Sequence, residues 1–157
     1  MTQMNHTRTI SIDAWCAMAK EGAAPAVTIP LDGTSMLPLI RKSVDPVTII
    51  PLQRPLKRGD VVLFTTGEGT YIVHRVWKLR DGWVQTLGDN CVYPDPWIPC
   101  DKVLGQVIYF NRKTVRHRLD TVPARLWGIT WMLLFPLRKC CLKGKSLIRR
   151  CYRKYFR

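Results

Sequence analysis

From Val27 to Phe110 the chain is a succession of short apolar runs punctuated by Gly, Pro and Asp: Val27 to Leu31, Val47 to Pro51, Val61 to Phe64, Tyr71 to Leu79, Trp83 to Leu87 and Val103 to Phe110. Runs of this length bounded by turn residues read as β-strands. Thr66-Gly67-Glu68-Gly69 and Arg80-Asp81-Gly82 supply hairpin turns, so Val61 to Leu87 is expected to form a three-stranded antiparallel meander. In its middle strand, alternation puts Ile72, His74 and Val76 on one face and Val73, Arg75 and Trp77 on the other.

Helical spacing is confined to the two ends. Ser11 is placed to cap a helix over about Ile12 to Glu21, with Trp15, Met18 and Ala19 on one side and Gly22 as its stop. Thr121 is placed to cap a second, with Pro123 in its first turn and an apolar, Trp-rich run from Ala124 to Phe135 before Pro136. The expected organisation is a tail and short helix over 1–26, a β-rich domain over 27–118 and a basic helical tail over 119–157. Residues 1–10 are polar and expected to be disordered. A chain of 157 residues is long enough for one such core.

Charge changes this picture only at the carboxyl end. The net charge is +14, but nine of the 25 Lys and Arg lie in residues 138–157 with no acid among them. That leaves sixteen basic against 11 acidic residues, about +5, for the rest. From Ala124 to Leu137 only Arg125 is charged. A helix of that length rises ~21 Å against a ~30 Å hydrocarbon core, too short for an ordinary span. Two readings stand. Residues 124–157 lie on an anionic membrane surface, or Trp127, Trp131 and Leu134 dock on the β-domain and the basic tail is solvated. Nucleic acid is not expected as a partner, because no aromatic-and-basic strand motif or recognition helix accompanies the charge. Asp13 interrupts the first apolar stretch, so neither a secretion signal nor an amino-terminal anchor is expected. The expected location is cytoplasmic or peripheral to a membrane.

The six cysteines show no Cys-x-x-Cys spacing and no paired histidines, so no metal site and no cofactor are expected. Reduced thiols are the favoured reading, with a Cys91–Cys100 pair as the alternative.

The candidate chemistry begins at Gly33-Thr34-Ser35-Met36-Leu37-Pro38, a polar turn that presents one serine. A serine hydroxyl attacks only when a base takes its proton and donors hold the resulting oxyanion. Downstream come Lys57-Arg58-Gly59-Asp60-Val61-Val62, Val73-His74-Arg75-Val76, Gly88-Asp89-Asn90 and Val103-Leu104-Gly105-Gln106-Val107. Each is weak alone. In this order they resemble the signal peptidase I family, within the broader group that includes self-cleaving repressor peptidases. The histidine, where most bacterial members carry lysine, makes the chain similar to the endoplasmic-reticulum and archaeal branch.

That resemblance, over about residues 27–110, implies a mainly β fold of coiled antiparallel sheet and a serine endopeptidase that cleaves signal-like or leader segments after small residues. It implies Ser35 as nucleophile, His74 as general base and Asp95 as the acid that orients it. Asp89 is the alternative for that role, or else holds the loop that shapes the site. Gly33, Thr34, Met36 and Asn90 are expected around the oxyanion and the site turn. The implied partner is an extended polypeptide. The chain departs from the family at Gly33, where a serine is common, and in Cys91-Val92-Tyr93-Pro94, where a polar loop is usual. Two other functions share the fold: a non-catalytic peptide-binding module, and a self-cleaving regulator, for which Gly22-Ala23-Ala24-Pro25-Ala26 is the candidate cleavage segment.

Overall fold

The computed structural model describes residues 11–66, 70–134 and 137; the expected disorder of 1–10 and the tail beyond Leu137 lie outside them. The described residues are mainly β, a curled antiparallel half-barrel sheet with two helices. Its elements are α1 (Ile12–Lys20), β1 (Val27–Ile29), β2 (Val47–Pro51), β3 (Val61–Thr65), β4 (Tyr71–Arg80), β5 (Trp83–Leu87), β6 (Ile98–Pro99), β7 (Val103–Arg112), β8 (Val115–Arg118) and α2 (Val122–Leu133), with a short 3₁₀ turn at Cys100–Lys102.

The sheet runs β1-β2-β7-β3-β4-β5-β6, with β8 also paired to β7. Long β7 joins the halves, holding β2 through Val47↔Phe110 to Pro51↔Gly105 and β3 through Val62↔Gln106 to Phe64↔Val103. The meander β3-β4-β5 pairs as expected; positions 67–69 of its first expected turn, Thr66-Gly67-Glu68-Gly69, lie outside the described residues. Its second turn is the two-residue loop Asp81-Gly82, with φ of 41° and 81°. Positive φ at both positions is what a tight hairpin turn with the twist of its strands requires. Register shifts at Thr48/Ile49, Leu63/Phe64 and Val76/Lys78 mark bulges, which bend and curl a sheet.

Alternation along β3 feeds two apolar clusters. Val61 and Leu63 join Trp15, Met36, Ile40, Val73 and Val107, while Val62 and Phe64 join Val76, Val84 and Ile98. Helix α1 closes the first cluster. Ser11 caps it by accepting from the Ala14 N–H, and fully buried Trp15 donates its indole N–H to the Pro25 carbonyl at 2.7 Å. Beneath Trp15, a Cβ on Gly105 would lie 2.8 Å from the indole and 2.6 Å from the Ile50 carbonyl oxygen, so only glycine lets helix and sheet come this close.

The Arg58-Gly59-Asp60 stretch is structural. Asp60 accepts from the Lys57 N–H and from Arg54, both at 2.8 Å, and its carbonyl accepts from the Val76 N–H at 2.7 Å. It thereby pins the start of β3 to β4. Helix α2 begins at the Thr121 cap as expected and buries Gly128 and Met132 fully. Its tryptophans dock only in part, Trp131 donating its indole N–H to the Asp89 carbonyl at 3.2 Å and Trp127 lying 5.9 Å from the Arg75 guanidinium. Trp127 and Leu134 are 44% and 42% exposed.

Candidate active site

His74 and Arg75 are neighbours on β4 and point to opposite faces, and each is matched to one acid of the 88–95 loop. His74 is 7% exposed. Its Nδ1 lies 2.7 Å from Asp95 Oδ2. Asp95 is itself held, because Thr86 Oγ1 donates to the same oxygen at 2.6 Å, its N–H donates to the Thr86 carbonyl at 2.9 Å, and its carbonyl accepts from Gln85 Nε2 at 3.0 Å. On the other face, Arg75 grips Asp89 with two parallel bonds, Nε to Oδ1 at 2.9 Å and Nη2 to Oδ2 at 2.8 Å, and gives Nη1 to the Gly59 carbonyl at 2.9 Å. Both side chains are essentially inaccessible. The geometry thus puts Asp95 on the imidazole, while Asp89 ties its loop to the sheet.

The Ser35 turn crosses this loop. The Asn90 N–H donates to the Ser35 carbonyl at 2.7 Å, and Asn90 Nδ2 donates to the Thr34 carbonyl at 3.2 Å. Gly88 marks the crossing point: a Cβ there would lie 2.9 Å from His74 Nε2, 2.9 Å from the Ser35 carbonyl oxygen and 2.6 Å from Cys91 Sγ. Three groups therefore converge on Gly88 where no side chain fits. Met36 is buried in the core beside Ile40. Gly33 and Thr34 are exposed. Among the described residues, the N–H groups of Ser35 and Met36 donate no hydrogen bond, which leaves them available to an oxyanion.

Ser35 and His74 line one open cavity of about 440 Å³, whose walls come from Ile29 to Asp32 on one side and Tyr71 to His74 on the other. Ser35 Oγ makes no hydrogen bond to the imidazole among the described residues. The imidazole instead bonds Asp95 through Nδ1 and interacts with the Cys91 thiol. Burial alone would push the His74 pKa down. The bonds to Asp95 and Cys91 outweigh it and hold the pKa up at about 9. A free imidazole near ~6.5 would be largely neutral at pH 7; His74 in this setting is largely imidazolium.

Two contributions were not legible in the sequence. Cys91 stood out only as a departure from the usual loop, and nothing in the spacing put its sulfur beside His74. It is a free thiol, as are Cys16 and Cys100. Arg75 sat within the recognisable His-Arg-Val triplet, but its role needs Asp89 fourteen residues on. No group of His, Cys, Asp and Glu among the described residues is arranged to hold a metal ion. Comparison with protein-family models gave no match, and comparison with curated proteins gave none either.

Proposed function

We propose that the protein is a serine endopeptidase of the signal-peptidase type, with Ser35 as nucleophile, His74 as base and Asp95 as its orienting acid. What carries this reading is the Asp95–His74 pair, with Nε2 turned toward the crossing of the Gly88 and Ser35 turns in a cavity that Ser35 also lines. Ser35 Oγ attacks the scissile carbonyl as neutral His74 takes its proton. The imidazolium, stabilised by Asp95, returns that proton to the leaving amine. The Ser35 and Met36 N–H groups, which donate no other hydrogen bond among the described residues, serve the oxyanion.

The binding mode follows from the strands. β5 pairs with β4 only from Arg75 onward, and β3 takes the other side of Tyr71 to Arg75. The second edge of Tyr71 to His74 is thus open toward the cavity. A substrate adds there as an extended strand, with main-chain bonds supplying affinity and the walls of Ile29, Leu31 and Ile72 selecting side chains. Small residues such as alanine before the scissile bond are what the family resemblance implies.

A second reading, a peptide-binding module without catalysis, is favoured by one observation: Ser35 Oγ makes no hydrogen bond to the imidazole, whose Nδ1 is held by Asp95. Incubation with a library of small-residue peptides at pH 7 and pH 9 separates the two. Cleavage by the wild type that Ser35→Ala abolishes supports the peptidase; binding without cleavage at either pH supports the module.

A further inference from the structure

Helix α2 is anchored by one side and apolar on the other. Its inner side carries Gly128, where a Cβ would fall 2.5 Å from Arg75 Nη1, together with Met132, which is 1% exposed. Arg125, the one charge between Val122 and Leu137, turns inward, its Nη2 donating to the Asp120 carbonyl at 2.7 Å and its Nε 3.5 Å from Asp60 Oδ1. The outer side presents Val122, Leu126, Leu133 and the capping Leu134, each between 42% and 65% exposed. These positions recur at helical spacing and form one stripe, broken in polarity only by exposed Thr130. A helix on the surface of a globular domain normally turns charge to water along that line. An apolar stripe in its place marks a contact surface.

The chain itself indicates the partner. Residues 138–157, directly after the stripe, carry nine Lys and Arg and no acid, interleaved with Leu142, Leu147, Ile148, Tyr152, Tyr155 and Phe156. A protein partner for so basic a segment would need a large acidic face; an anionic lipid surface supplies both the apolar layer and the negative field. Trp127 and Trp131 stack at 5.5 Å beside the stripe, and tryptophan favours the headgroup level. No described helix is long and apolar enough to cross a membrane.

We infer that α2 lies flat on an anionic phospholipid bilayer, its Val122-Leu126-Leu133 stripe sunk in the interface and the basic segment behind it held by the headgroups. The inference is independent of the peptidase reading. It also sets where the site sits, because Trp131 Nε1 donates to the Asp89 carbonyl at 3.2 Å and Asn90, the next residue, bonds the Ser35 carbonyl. The cleft loop is thus tied to the helix that meets the lipid.

Co-sedimentation of the full chain with vesicles of phosphatidylcholine and phosphatidylglycerol (7:3) tests it, beside pure phosphatidylcholine vesicles and the variants Leu126→Glu/Leu133→Glu and Ser35→Ala. The expected result is binding to the anionic vesicles at least tenfold above the neutral ones, a tenfold or greater loss in the double variant with unchanged circular dichroism, and no loss in Ser35→Ala. Undiminished binding by the double variant would overturn the role of α2 and leave only the charged tail. So would a wild type that binds no vesicle and sediments as a dimer which the double substitution dissociates, since a second copy would then cover the stripe.

Discussion

At the scale of single residues, His74 would decide, on the proposed peptidase reading, when the site acts. With its pKa at about 9, only the fraction that has lost its proton acts as base, so kcat/KM should climb with pH and level off above about 9. Cys91 is one of the groups that raise this value, after Asp95. Cys91→Ala should therefore move the midpoint of the pH–rate curve to lower pH and increase activity at pH 7, read by kcat/KM profiles and by NMR titration of His74. A midpoint that does not move would mean the thiol has no hold on the imidazole. Asp95→Asn removes the larger upward influence and also the anchor on Nδ1. It should bring the midpoint down further and yet lower the plateau by on the order of 10²–10⁴, because a misoriented imidazole is a poor base even when neutral. Ser35, His74 and Asp95 were nominated from a motif order, because the resemblance rests on particular side chains at particular chain intervals. The Cys91 contact was not, because it depends on Gly88 letting two turns touch.

At the scale of elements, the strands that could be read were those with apolar runs bounded by Gly, Pro or Asp. β6 and β8 escaped that reading for identifiable reasons. Ile98–Pro99 is a two-residue bridge, and Val115–Arg118 is exposed throughout, so it shows no burial alternation to detect. The contact of α2 with the domain escaped as well. Its tryptophans suggested a buried face, whereas they dock only in part and the helix comes closest at Gly128, where a Cβ would fall 2.5 Å from Arg75 Nη1. Gly128→Ala should consequently push Arg75 off Asp89 and the Gly59 carbonyl. Disrupting a buried ion pair while leaving one charge behind costs roughly 3–5 kcal/mol. Part of that is expected here, as a lower urea midpoint with an unchanged m-value. Arg75→Leu, which strands Asp89 outright, should cost more than Gly128→Ala. If the two cost the same as an exposed control such as Leu126→Ala, the pair holds nothing together.

At the scale of the whole molecule, the overall charge was the least informative number in the sequence, since most of the excess lies in one terminal segment and what remains is modest. Buried ionised groups set the pH response instead, and two of them act from opposite ends. Asp45 is fully buried, gripped by Arg41 at 2.7 Å and Arg112 at 2.9 Å. The Arg41 bonds, then those of Arg112, outweigh its burial and hold its carboxyl well below the usual range. A lowered folded pKa stabilises the protein above the unfolded value of 3.8, and that contribution is lost as pH falls further. His74 has the reverse sign. Its raised pKa stabilises fully below the unfolded value of 6.5 and loses that contribution as pH rises through about 9, a difference of roughly 3 kcal/mol at ~1.4 kcal/mol per unit. Stability should therefore form a plateau between about pH 4 and pH 6.5 and decline on both sides. The alkaline decline spans the range over which His74 becomes a competent base. The protein should thus be most active where this residue stabilises it least. Thermal unfolding from pH 2.5 to 10 should show that shape, with His74→Gln flattening the alkaline limb alone and Asp45→Asn the acid limb alone. An alkaline limb unchanged in His74→Gln would separate the stability of the fold from the charge of its candidate base.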